Sequence, residues 1–355
     1  MKTILKKCLK WFGIVLCTLL GLVIVFHLIP RRPLLDENIF ITGRDNRPTL
    51  VAHAGGNLEF PGNTMEAIWN TYTIDPHAMF ELDANITRCG EVILSHCRML
   101  DRRTNARGQI SDWTYADLME QVSFGYLHPL SGNTPRPMDM PLMPFQNYAG
   151  QVVTPLDVRY PPGVEARHPY RFLPTRLEDV ITTFPNNTIS VEIKQYGDLG
   201  RAAIDSVIEM MVRLDSQYNT FGRIVLASFS TENYEYFLEM QKAHPRLMFS
   251  PNGSVLLPVY ISHWFGLDFM FNHPFTIIQI PTHEGSLPLH RRHFIRAMQR
   301  HNVAVHYWTI NDEDMMRTLI ARGANGITTG RPTLFKQIAD EIFGSGYSPD
   351  LLAGR

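Results

Sequence analysis

The sequence carries almost no charge imbalance. Lys and Arg number 33 against 34 Asp and Glu, a formal net charge of −1. No basic excess marks the globular part, so the chain lacks the electrostatic footprint of a nucleic-acid binder. Low-complexity tracts and internal repeats are also missing. No Gly-rich phosphate loop follows the first apolar run: His53-Ala-Gly-Gly-Asn57 does not have the required spacing. That argues against a doubly wound nucleotide-binding sheet. Apolar residues make up 45% and charged residues 19% of the chain, an ordinary globular composition with room for one large α/β domain.

Asp, Glu, Lys and Arg are absent from Trp11 to Ile29. As a helix this run would span about 28 Å, close to the hydrocarbon thickness of a bilayer. A cleavable signal peptide is the alternative, but its apolar core is usually shorter and no small-x-small cleavage site follows. Leu16 before Cys17 is not the small residue that a lipoprotein signal needs. Lys2, Lys6, Lys7 and Lys10 precede the run and Arg31 and Arg32 follow it. This balance predicts a cytoplasmic segment at 1–10, a single-pass anchor at 11–30 and a linker at 31–48, with the globular part outside. A bacterial inner membrane suits that arrangement, the globular part facing the periplasm or the exterior.

From Leu50 onward, short apolar runs alternate with helical patterns. Strands are expected at 50–53, 79–86, 189–193, 224–227, 247–250, 276–280, 304–308 and 326–328, with a return strand at 91–96. Helices are expected at 64–73, 199–217, 231–242, 291–301, 312–322 and 332–342. Asn311 is the expected cap of the 312–322 helix and Gly323 its terminator. Eight strands in this rhythm predict an α/β fold, a (β/α)₈ TIM barrel over 49–343, with 344–355 as a tail. Residues 119–172 break the rhythm. Their Pro, Tyr, Phe and Met content points to an ordered insertion or lid rather than a disordered loop.

Functional side chains of such barrels sit where strands end. His53 closes the first strand. Glu81 and Asp83 are two apart on the second and share a face. His96 ends the return strand, and Glu192 and Lys194 are two apart on the third. Three inward carboxylates repel one another, and Lys194 can answer only one of them; a divalent cation resolves the conflict. Oxygen-only ligands point to Mg²⁺ or Ca²⁺. Two strand-end histidines can act as an acid/base pair. The glycines after His53 would let backbone approach a ligand closely.

These residues resemble the glycerophosphodiester phosphodiesterase family, within the superfamily that includes phosphatidylinositol-specific phospholipases C. The resemblance runs through His53-Ala-Gly-Gly, Pro61-Gly-Asn-Thr64, Glu81-Leu-Asp83, His96-Cys97, Leu100-Asp-Arg-Arg-Thr104, Val191-Glu-Ile-Lys194, Trp308-Thr-Ile-Asn311 and Gly323-Ala-Asn-Gly-Ile-Thr-Thr329. It implies His53 and His96 as acid/base, Glu81, Asp83 and Glu192 on the metal, and Lys194, Asn63 and Trp308 against substrate and phosphate. It also implies attack by a neighbouring substrate hydroxyl, and an insertion over the pocket at 119–172.

The expected substrate is a small-molecule or lipid phosphodiester, a glycerophosphodiester or lysophospholipid. Phospholipase C/D-like cleavage and an inactive phosphodiester-binding barrel are the alternatives. The departures are Ala54 for the family's Arg, Gly62 for Glu, Cys89 and Cys97 for Asp, and Gly330 for Asp. Losing the Arg and the Glu together leaves no unpaired charge if the two are partners. An extended return strand would hold Cys89 and Cys97 about 20 Å apart, so both are expected as free thiols.

Overall fold

The computed structural model describes residues 2–30, 38–41, 47–270 and 275–344. Arg31, Arg32, most of the 31–48 linker and the tail beyond Gly344 lie outside the described residues. The chain begins with helix α1 (Lys2–Leu28), whose apolar stretch is long enough to cross a membrane. The first strand and helix of the globular part are β1 (Thr49–His53) and α2 (Met65–Ile74). β2 (Met79–Ile86) and the short β3 (Val92–Leu94) form an antiparallel pair. Then come α3 (Tyr115–Gln121), α4 (Leu177–Thr183), β4 (Ile189–Ile193), α5 (Gly197–Tyr218), α6 (Thr220–Arg223) and β5 (Ile224–Ala227). α7 (Thr231–Ala243), β6 (Met248–Phe249), α8 (Gly253–Trp264) and β7 (Ile277–Ile280) follow. A hairpin of β8 (His283–Glu284) and β9 (Leu287–Pro288) precedes α9 (Arg292–Arg300). The chain closes with β10 (Ala304–Tyr307), α10 (Glu313–Arg322), β11 (Gly326–Thr329) and α11 (Pro332–Phe343).

Eight parallel strands run in the order β6-β5-β4-β2-β1-β11-β10-β7, with β3 set off on β2. The order is that of a (β/α)₈ barrel nearly closed, its seam lying between β6 and β7. Helices bury their apolar faces on the outside of this ring; Phe80 and Phe184 pack 5.2 Å apart where β2 meets α4. Inside, Val51, Met79, Val225, Ile277 and Ala304 form a separate small core with Phe40. Phe40 comes from the linker and plugs the bottom of the barrel, a contribution of roughly 2 kcal/mol. Asn38 fixes it there by donating to the Thr276 carbonyl at 2.7 Å and the Asn302 carbonyl at 2.6 Å. The linker therefore supplies a core residue.

Local signals explain most boundaries. Thr64 caps α2, its hydroxyl accepting from the Ala67 N–H at 3.2 Å. Gly323 ends α10 in the left-handed region. The cap of α10 is Asp312, which accepts from the Met315 N–H at 2.9 Å, and not Asn311. Asn311 is used elsewhere: its side-chain Oδ1 accepts from Thr329 Oγ1 and from the Gly330 N–H.

Residues 119–172 are an ordered insertion with little regular structure. Phe124, Val158 and Phe172 join Ile93, Leu100, Ile110 and Leu118 in a second apolar cluster. Arg136 is its polar staple, donating to the carbonyls of Thr104, Asn105 and Ala106 at 2.8–3.2 Å. Arg167 ties the insertion to the barrel through a bidentate pair with Glu66 at 3.1 Å.

Candidate active site

β1, β2 and β4 carry the site in register. His53 pairs with Glu81 and Glu81 with Ser190, while Asp83 pairs with Glu192 two residues further on. Side chains two apart share a face, so the carboxylates of Glu81, Asp83 and Glu192 converge, one oxygen of each lying within 4.8 Å of the others. His53 Nε2 is 3.9 Å from Glu81 Oε2, and the Ala54 N–H donates to that same oxygen at 3.0 Å. Lys194 spans the rest of the cluster, 3.0 Å from Asp83 Oδ1 and 2.8 Å from Glu192 Oε1.

The charges respond as burial requires. Glu81 is pushed up to about 8 by burial and then by Asp83. Glu192 is pushed up to about 7 by burial, partly offset by Lys194. Asp83 moves the other way: burial opposes ionisation, but Lys194, both histidines and the Asn63 amide outweigh it and hold the group well below the usual carboxylate range. Lys194 is held above its ordinary value because the carboxylates outweigh its burial. Desolvation lowers both histidines, His96 to about 4. One ammonium against three carboxylates is an incomplete neutralisation: Lys194 is shared between Asp83 Oδ1 and Glu192 Oε1. An all-oxygen set of this kind fits a hard divalent cation.

A cavity of about 610 Å³ opens over the cluster. His53, Glu81, His96, Glu192 and Lys194 form its floor, and Trp308 and Phe229 form an aromatic wall, their rings 5.6 Å apart and nearly perpendicular. Asp83 and Asn63 lie beneath the floor and do not line the cavity. Asn63, expected against phosphate, spends its amide on Asp83: it donates to Oδ2 at 2.7 Å and accepts from the Asp83 N–H at 3.0 Å. Its left-handed backbone, φ 64°, suits Asn better than most residues. Lys194, also expected on phosphate, faces the cavity but is held by carboxylates.

The glycines after His53 serve packing as well as approach. A Cβ on Gly55 would lie 2.9 Å from Ile68 Cγ1, and one on Gly56 2.9 Å from Thr71 Oγ1, both on α2. A Cβ on Gly62 would come within 3.0 Å of the Ala54 Cβ, so the two departures face each other directly. Cys97 is buried, its sulfur 3.8 Å from His96 Nδ1, and both it and Cys89 are free thiols.

None of residues 119–172 lines the cavity. The insertion packs beside the mouth, where Asn133 accepts from the Arg98 N–H at 2.9 Å and the Tyr148 N–H donates to the Leu58 carbonyl at 2.8 Å. The walls come instead from the β5–α7 loop, the start of α8 and the loops after β7 and β10. Sequence reasoning also passed over Arg103. Its field acts on both His53 and His96, it contacts Cys97, and its buried Nε has no partner. Only the Leu100–Thr104 motif pointed near it.

The barrel and its converging acids define a phosphodiesterase of TIM-barrel type. The chain belongs to the glycerophosphoryl diester phosphodiesterase family, whose model matches residues 53–334, and it is a phosphoric diester hydrolase. It is 24% identical to human lysophospholipase D GDPD3 over 83% of this chain and 86% of that protein. It is 22% identical to the Bacillus subtilis glycerophosphodiester phosphodiesterase over 82% of this chain and 87% of that one. Among solved structures, the fold matches a Parabacteroides distasonis glycerophosphoryl diester phosphodiesterase with a TM-score of 0.57, at 16% identity, covering 87% and 92% of the two chains. It matches an Oleispira antarctica phosphodiesterase, solved with the product sn-glycerol-3-phosphate, with a TM-score of 0.54, at 15% identity, covering 83% and 98%.

Proposed function

We propose that this chain hydrolyses a lysophospholipid or glycerophosphodiester, with His53 and His96 as the proton-transfer pair and Glu81, Asp83 and Glu192 as ligands of Mg²⁺ or Ca²⁺. The observation that carries the reading is the convergence of three carboxylates and two histidines on the floor of one cavity. The bound cation would supply charge stabilisation at the phosphoryl oxygens. Asn63 orients Asp83, and the Ala54 N–H orients Glu81. Both rings are neutral near pH 7 before substrate enters, so each is ready to accept a proton. A phosphodiester anion in the cavity raises histidine basicity, which equips one ring to hand a proton to the leaving oxygen while the other takes one from the attacking hydroxyl. Trp308 and Phe229 supply an apolar wall suited to a lipid-derived substrate. Two named lysophospholipases D and several glycerophosphodiester phosphodiesterases among the relatives support the same substrate classes.

The test is mass-spectrometric identification of products from a panel of lysophospholipids and glycerophosphodiesters, run with Mg²⁺, with Ca²⁺ and with chelator. Free choline or another head-group alcohol, lost on chelation and in His96→Ala, is the expected result. A released phosphorylated head group would assign cleavage to the other side of the phosphate. Full turnover in chelator would remove the metal from the reading.

A further inference from the structure

The segment from Gly253 to Met270 behaves unlike a surface helix of a water-soluble domain. α8 contains no Asp, Glu, Lys or Arg, and the one charged residue that follows it, Asp268, is buried against His301 at 2.9 Å. Its inner face, Val259 and Tyr260, packs onto α9, with Tyr260 and Phe294 4.8 Å apart. The outer face should then be polar. It presents Leu257, Ile261, Trp264 and Phe265 instead, each 43% exposed or more, with Met270 beyond them at 70%. A contiguous exposed apolar stripe of this kind marks an interaction surface.

The end of α1 identifies what covers it. α1 is exposed along its apolar length and touches the domain through its last turn, where Phe26 lies 5.9 Å from Phe269 and His27 6.1 Å from His263. Gly266 is shaped for that docking: a Cβ there would sit 2.6 Å from His27 Nδ1. The point at which α1 leaves the hydrocarbon is therefore the point at which the apolar stripe begins. Beside it, Arg291 and the α9 residues Arg292, Arg296 and Arg300 are exposed, α9 carries no acidic residue, and these four form no ion pair among the described residues. Arg291 stacks over the Trp264 ring at 5.7 Å. Apolar and indole side chains flanked by unpaired arginines are the composition of an element that lies in a headgroup layer.

We propose that residues 257–270 rest in the lipid headgroup region of the membrane that α1 crosses, with the α9 arginines on anionic lipid. The inference rests on α1 as a membrane span and deepens the lipid-substrate reading. The first turn of α8 is part of the cavity wall, with Gly253, Ser254 and Leu256 facing the cavity and Leu257 facing outward. The bilayer surface and the catalytic cavity thus share one helix, and an amphiphile leaving the bilayer meets the cavity without crossing open water.

The experiment is nitroxide labelling of the full chain in vesicles of phosphatidylcholine with a minor fraction of phosphatidylglycerol. Labels at Ile261→Cys and Phe265→Cys, with Cys8, Cys17 and Cys89 replaced by Ser, are compared with one at Glu209→Cys on exposed α5. Accessibility to oxygen relative to a water-soluble nickel complex is expected to be several-fold higher at 261 and 265 than at 209. Equal ratios at the three sites would overturn the proposal. Shielding of 261 and 265 from both reagents would also overturn it, in favour of a covering protein chain. A label on native Cys17 reports separately on α1, and the product analysis above reports separately on substrate.

Discussion

Asn63 and Asp83 lock each other in place beneath the cavity floor, through the 2.7 Å bond from the amide to Oδ2 and the 3.0 Å bond from the Asp83 N–H to Oδ1. Asn63 touches no part of the cavity, so its effect must pass through Asp83. Groups that orient a metal ligand are worth about 10–100-fold in affinity. Asn63→Ala is expected to raise the half-saturating concentration of Mg²⁺ or Ca²⁺ within that range while leaving KM for substrate near its original value at saturating metal. A variant that changed only KM would place Asn63 on the substrate instead.

On the proposed metal reading, the acidic cluster holds protons that a binding cation would expel. Glu81, raised to about 8, is protonated near neutrality, and Glu192, raised to about 7, is partly so. A carboxyl whose folded pKa lies above its unfolded value adds stability that is present at low pH and lost as pH rises through the folded value. The metal-free protein should therefore lose stability between about pH 5 and pH 8, and metal should restore it. Calorimetric titration near pH 7 in buffers of different ionisation enthalpy should register proton release, which fades above about pH 9. A proton count of zero near neutrality would rule this out.

Arg103 is a guanidinium whose field acts on both His53 and His96, in a site where Ala54 follows the first histidine. Its buried Nε is unpartnered and the residue does not line the cavity, so its influence on substrate passes through the histidines. Arg103→Lys keeps the charge and loses the fork. Repositioning that charge is expected to lower kcat/KM for a phosphodiester by about tenfold, since a hydrogen bond to a charged group is worth roughly 1.5–3 kcal/mol. Unchanged steady-state kinetics in this variant would assign Arg103 to the Cys97 contact alone.

His306 lies within the barrel wall, fully buried, with its ring over Gly326 and Nε2 3.5 Å from the Phe40 carbonyl. Burial lowers it to about 4. A histidine depressed in the fold contributes stability that is complete above about pH 6.5 and lost as pH falls toward the folded value. The loss attributable to His306 is about 3 kcal/mol over that window. Unfolding in urea at a series of pH values, in detergent, should show a shallower acid slope for His306→Gln than for the native chain. Parallel slopes would contradict the assignment.

Periodicity and strand-end position made the barrel and its five convergent residues legible from sequence alone. The β2 and β4 spans were read residue for residue, because an apolar run bounded by turn residues reports burial on both faces. α8 escaped notice for the same reason that makes it informative. Its exposed face is apolar, so no polar–apolar alternation marks it as a helix. The irregular stretch 119–172 could be read as ordered, but not placed, because its position depends on Arg136, Arg167 and contacts far apart in sequence.

Residue spacing determined which side chains face the barrel interior, since a strand repeats every two residues whatever surrounds it. It also determined that three acids would meet with a single lysine among them. Tertiary structure decided how those charges are shared. It sent Asn63 to Asp83 rather than to the cavity, brought Arg103 beside the histidines, and sealed the barrel floor with Phe40 from the linker. Each of these is a contact between segments that pack independently, and side-chain direction at such contacts is set by what lies opposite, which local sequence does not encode.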